Sequence, residues 1–236
     1  MVVQKNRKRI LILIVIIALS LFGLGVLRLF APHTYTFSTD TYLTKPARKN
    51  LTDLCQKYLA THGPHACKIC NLLQSSFPTI KNIYLTRRDI DTVHTHITCK
   101  APWVVIAHEP YGHYIVTLDG DFTDSTTYHP DTYQGQPTLY VAHSPFTKKV
   151  QRRIYTWLTK NALWLKHYIP HWKKETKIIL QDPHNTHAII TKADAVITQT
   201  LQRQIESLYK KYTYPIIIDT RFGRKLVVKK WTKGGL

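Results

Sequence analysis

The feature that most constrains this chain is the run Ile10 to Leu27, ILILIVIIALSLFGLGVL, eighteen residues without a charge. As a helix rising about 1.5 Å per residue it would cover ~27 Å, close to the hydrocarbon thickness of a bilayer. Lys5, Arg7, Lys8 and Arg9 precede it, and a basic flank holds that end in the cytoplasm. A cleaved signal peptide competes with this reading. Its apolar region runs about 7–15 residues and ends at a small-x-small site, whereas Arg28-Leu29-Phe30-Ala31-Pro32 follows here. The expectation is one uncleaved membrane-spanning helix over 10–30. A cytoplasmic basic tail, 1–9, stands before it. The bulk of the chain then lies on the outer side of the inner (plasma) membrane.

The remaining residues carry 28 Lys and Arg against 14 Asp and Glu. A field of that sign favours acidic partners: anionic headgroups, an acidic protein face or nucleic acid. Outside the cytoplasm nucleic acid is not expected. The basic residues are also spread along the chain, as on an ordinary solvated surface. With 44% hydrophobic residues the chain has ample material for a core. No H-E-x-x-H, Gly-rich phosphate loop or Ser-His-Asp arrangement stands out, so neither a catalytic site nor a cofactor is expected.

Taken in order, Tyr35 and Phe37 alternate with polar residues as in a strand. Lys45-Pro46 reads as a break. Leu51, Leu54, Cys55, Tyr58 and Leu59 then show helical spacing up to His62-Gly63-Pro64. A second helix is expected over 65–76, then strands over 80–87 and 93–99, where Val93, Thr95, Ile97 and Cys99 share one face. Two helices on one sheet face make a stable two-layer unit. Beyond Pro102 the spacing predicts strands at 104–107, 114–118, 138–142, 177–180 and 188–191. Helices are expected over 148–168 and 193–212, and a closing hairpin over 216–220 and 226–231. Asp119-Gly120 is a strong turn signal. The fold class expected is therefore α+β. A β-α-α-β-β unit spans 33–103, a mostly antiparallel β domain with two helices spans 104–231, and 232–236 is a tail.

Four cysteines, Cys55, Cys67, Cys70 and Cys99, all lie in the first unit. Outside the cytoplasm they are candidates for disulfides, with three pairings open. Cys67-Lys68-Ile69-Cys70 also has the C-x-x-C spacing of thiol–disulfide oxidoreductases. Those cysteines sit at a helix N-terminus after a strand, and here a helix and a Gly-Pro turn come first. A metal site built from the four is a further alternative.

Several stretches in order resemble the bacterial cell-division proteins of the FtsQ/DivIB family. Ser76-Phe77-Pro78-Thr79-Ile80-Lys81-Asn82-Ile83 is similar to the family's passage from second helix to strand. Arg88 to Ile97 and Ala101-Pro102-Trp103 resemble the closing hairpin of its POTRA domain. Leu118-Asp119-Gly120-Asp121-Phe122 resembles a turn of its β domain. Ile218-Asp219-Thr220-Arg221-Phe222 and Leu226-Val227-Val228-Lys229 resemble its terminal hairpin. The resemblance implies a non-enzymatic divisome scaffold that binds FtsB- and FtsL-like coiled-coil membrane proteins and promotes septal wall synthesis. It also implies partner contacts at Arg221, Phe222, Leu226, Val227, Val228, Lys229 and Trp231. A POTRA protein of secretion or outer-membrane assembly is the alternative within the same fold.

Overall fold

The structure, a computed structural model, describes residues 34–63, 66–89, 92–109, 111–142, 146–174, 177–184, 186–222 and 225–231. It also describes Val15, Ile16, Ile17, Leu19, Ser20 and Gly23. Strand β1 (Thr34–Thr39) leads to helix α1 (Lys45–His62). The Thr44 hydroxyl accepts the Ala47 N–H, and Pro46 lies in the first turn. A proline there forfeits no helical bond, so Lys45-Pro46 forms the first turn of the helix and is not a break ahead of it. Buried Ala47, Leu51, Cys55 and Leu59 recur every four residues and form one inward stripe. Gly63 ends the helix at φ 70, its N–H returning to the Leu59 carbonyl.

Helix α2 (Ala66–Ser76) buries Ile69 and Leu73. Strands β2 (Ile80–Arg87) and β3 (Thr92–Cys99) complete a sheet of order β1-β3-β2, with β3 parallel to β1 and antiparallel to β2. Val93, Thr95, Ile97 and Cys99 point inward along β3, the face that their alternation predicts.

The second sheet has nine strands in the order β12-β11-β10-β9-β8-β7-β4-β5-β6. These are β4 (Pro102–Glu109), β5 (Gly112–Thr117), β6 (Phe122–Asp124), β7 (Thr138–Ala142), β8 (Ile169–Lys174), β9 (Lys177–Gln181), β10 (His187–Lys192), β11 (Ile216–Phe222) and β12 (Lys225–Lys230). Five of its pairings are antiparallel; β4 with β7, β7 with β8 and β10 with β11 are parallel. Parallel neighbours need a crossover. A short α3 (Pro130–Tyr133) lies in the passage from β6 to β7, α4 (Lys148–Lys160) links β7 to β8, and α5 (Gln199–Lys211) links β10 to β11. Both long helices cover one sheet face: Ile154, Trp157, Leu158 and Ile205 pack with Val104, Ile106, Leu139 and Ile189.

Four further expectations change. Helix α4 stops at Lys160, and Ala162–Lys166 is a 3-10 turn that buries Trp164 and Leu165. Residues 193–198 are not helical, because Thr198 caps α5 by accepting the Leu201 N–H. Strand β8 occupies the stretch where Pro170 was read only as a stop; proline is tolerated near the start of a strand. The membrane span expected over 10–30 is also corrected. Apart from the six described positions above, that stretch and the tail 1–9 lie outside the described residues. Among the described residues no helix is long and apolar enough to cross a membrane. A helical span needs about 20 consecutive apolar residues in one helix, and an apolar run in the sequence is not by itself that helix. The plasma-membrane placement built on that run is withdrawn with it.

Asn161 ties α4 to the approach to α5. Its amide donates to the carbonyls of Trp157 at 3.0 Å and Ala195 at 3.2 Å, and its side-chain oxygen accepts the Ile197 N–H at 3.0 Å. The residue is 1% exposed. Asn161→Ala leaves the buried Ile197 N–H and the half-buried Ala195 carbonyl without this partner, while the Trp157 carbonyl keeps its bond from the backbone N–H of residue 161. The change is expected to cost about 1–3 kcal/mol, read as a lowered urea midpoint with an unchanged slope.

Candidate functional site

The C-terminal hairpin ends the nine-stranded sheet, and β12 is its edge strand. Ile216 pairs with Lys230, Ile217 with Lys229, Ile218 with Val228 and Asp219 with Val227. The Trp231 N–H donates to the Pro215 carbonyl at 2.9 Å. Bonded and non-bonded pairs alternate along an antiparallel ladder. Val227 and Lys229 therefore bond β11, while Leu226, Val228 and Lys230 turn their N–H and C=O groups to the open edge. A row of unpaired backbone groups is a template for a further strand.

The side chains divide the same way. Leu226 and Val228 pack against the helix-side core. They floor a groove walled by Arg203, Gln204 and Ser207 of α5. Val227, Lys229 and Trp231 occupy the other face. Phe222 is 59% exposed. The Lys225, Lys229 and Lys230 side chains are exposed as well.

Arg221 is engaged within the chain. The ladder loses register between Asp219 and Phe222, and across that bulge the Arg221 guanidinium donates to both Asp219 oxygens, at 2.9 and 2.6 Å. Its backbone N–H adds a third bond at 3.1 Å. Burial alone would raise the Asp219 pKa. The bonds from Arg221 and the charges of Arg221 and Lys177 outweigh it and hold the carboxyl below its ordinary 3.8. The sequence reading offered Arg221 to a partner, and the i, i+2 spacing that pairs it with Asp219 along one strand face was the signal available.

Cys67 and Cys70 lie in α2, which follows a helix and not a strand; the Cys67 side chain is outside the described residues. Cys55 and Cys99 are buried free thiols. Burial pushes Cys55 up to about 11. Burial, aided by the Asp40 charge, pushes Cys99 up to about 12. Neither is a nucleophile at neutral pH. His167 and His171 are four residues apart, but His171 lies in β8 and no shared helix aligns them. Among the described residues no group of three His, Cys, Asp or Glu could hold a metal.

Compared with known proteins, the chain matches no protein-family model and no curated protein.

Two outcomes are expected. A folded-state pKa held below 3.8 gives Asp219 a stabilising contribution that is complete above that value and lost as pH falls through the folded pKa. Arg221→Ala removes the guanidinium bonds and charge, leaves only the backbone N–H of residue 221 and the Lys177 charge to oppose burial, and moves the acid-unfolding midpoint to higher pH, as followed by circular dichroism. The thiols act in the opposite sense, because their folded values are raised above the ordinary 9.0. Stability is complete below about pH 9 and falls as pH rises towards 11–12. In native protein at pH 8, Cys55 and Cys99 should resist alkylation that proceeds rapidly in denaturant.

Proposed function

We propose that this chain is a non-enzymatic scaffold that takes up a partner strand along β12, as in the FtsQ/DivIB-type division proteins its sequence resembles. The observation supporting this reading is the open edge of β12, with the outward backbone groups of Leu226, Val228 and Lys230 beside exposed Phe222. Strand addition draws affinity from main-chain bonds and specificity from alternate side chains. Here those side chains are Leu226 and Val228 on the groove side, and Val227, Lys229 and Trp231 on the other. The partner class proposed is an FtsB- or FtsL-like small coiled-coil protein bearing a short acidic strand, and the role is to gather division proteins for septal wall synthesis. The exposed lysines select acidic residues on the incoming strand and speed encounter more than they add affinity.

The ladder supplies a matched pair of variants. Val228→Pro removes an outward N–H and no internal bond. Lys229→Pro removes an N–H bonded to β11. Val228→Pro is expected to keep the parent's melting temperature and lose partner binding by about tenfold or more. Lys229→Pro is expected to lower stability by about 1–3 kcal/mol. Phe222→Ala should weaken binding by about 2 kcal/mol without unfolding. Binding is measured with a purified FtsB-like protein from the same cell. Unchanged affinity in both folded variants, Val228→Pro and Phe222→Ala, rules out the β12 contact.

A further inference from the structure

A second face of α5 lines a cleft that the strand-binding reading does not use. The cleft has a volume of about 490 Å³, within the range of small-molecule sites. Its walls come from three places: the 3-10 turn after α4 with the residues just beyond it, the β9–β10 connection, and α5. Trp164 and Tyr168 stack with ring centroids 5.1 Å apart. His187 and Tyr209 stack at 4.2 Å and an interplanar angle of 12°. Asp182 and Glu206 bring two carboxylates to the same lining. Among the described residues that lining contains no Lys or Arg, on a chain with 33 of them against 14 Asp and Glu.

The rings stay uncharged at neutral pH. Burial raises both tyrosines, and it lowers His187 against the opposing pull of Asp182. The Tyr168 and Tyr209 hydroxyls interact with each other at the cleft wall. The carboxylates are positioned by neighbours that leave acceptor capacity: Thr186 donates to Asp182, and Gln202 donates to Glu206 at 3.0 Å.

We propose that this cleft binds a small organic cation of the alkylammonium class. The negative faces of aromatic rings attract a cation, most strongly where water is partly excluded. Two carboxylates add charge of the same preference and repel anions. A bare metal ion would need several converging oxygen ligands, and ring walls do not supply them. A trimethylammonium group is apolar on its surface and charged at its centre, which is the chemistry that rings and carboxylates accept together.

The test is calorimetric titration of the full chain with choline and, in parallel, with 3,3-dimethylbutan-1-ol, its uncharged carbon isostere, at constant ionic strength. Choline is expected to bind saturably with a Kd at or below about 10 mM, and the isostere about tenfold or more weaker. Asp182→Asn combined with Glu206→Gln should weaken choline by about tenfold. Tyr209→Phe, which keeps the ring, should leave it within about threefold. Circular dichroism on each variant ensures that only folded protein is compared. Absence of saturable binding, equal binding of the uncharged isostere, or full affinity in the folded carboxylate variant would each overturn the assignment.

Discussion

Strand β4 is buried on both faces, and the rest of the structure is arranged around that. Val104 and Ile106 are fully buried in the core beneath α4 and α5. Val105, one residue out of phase, belongs to the other core, with Leu43, Leu51, Leu59 and Ile97. Tyr128 seals that second contact. Its ring is 1% exposed, and its hydroxyl donates to the Lys100 carbonyl at 2.9 Å. The flanking backbone bonds, Thr44 N–H to the Thr127 carbonyl and His129 N–H to the Tyr42 carbonyl, hold the segment that caps α1. Lys100 lies at the same junction, and its ammonium meets the Asp121 carboxylate at 2.5 Å, as a largely buried charge requires. The two sheets therefore share apolar contacts, and the start of α1 depends on a loop of the larger sheet.

How much of this could be read beforehand depended on how local the determining interaction is. The alternation in Thr92–Cys99 gives β3 its inward face without reference to any neighbour, because the pleat alone sets a period of two. The Asp119-Gly120 turn was equally local in the φ of +86 it requires of Gly120; the Tyr155 ring, 2.9 Å from where a Cβ would lie, adds a distant constraint that the turn signal did not carry. The unbroken apolar run in β4 was visible, but which of two cores each residue joins was not. Where distant partners decide, the sequence misled. Val196 and Ile197 fit the period of α5, yet the Ile197 N–H is taken by Asn161 and Thr198 caps the helix one residue later. Pro170 read as punctuation because no neighbouring strand was in view to pair with. The hairpin residues are legible, and so is the i, i+2 spacing of Asp219 and Arg221; that the two close on each other in a bidentate pair is a matter of side-chain geometry, which spacing alone does not fix.

Helix α5 is the element through which the two proposed sites meet. Arg203, Gln204 and Ser207 face the groove beside β12, while Gln202, Glu206 and Tyr209 face the aromatic cleft. At 3.6 residues per turn these sets lie on separate faces of one cylinder, and buried Ile205 fixes the helix on the sheet between them. The cap at Thr198 and the Asn161 clamp just before it set where α5 begins. The same buried amide that stops α4 therefore positions the walls of both sites.

An edge strand can be read as a defended surface as readily as a binding one. Exposed Lys225, Lys229 and Lys230, together with the bulge between Asp219 and Phe222, are devices that discourage indiscriminate strand pairing. They do not block the row itself: β12 has no proline, and its outward groups run the length of the strand from Leu226 to Lys230. Lysines at such an edge repel a basic strand, including one from another copy of this strongly basic chain, and leave an acidic strand free to approach. Discrimination of that kind is repulsion of the wrong partner as much as attraction of the right one. Phe222, exposed beside the bulge where the ladder is already irregular, then offers apolar surface outside the sheet without disturbing the pairing within it.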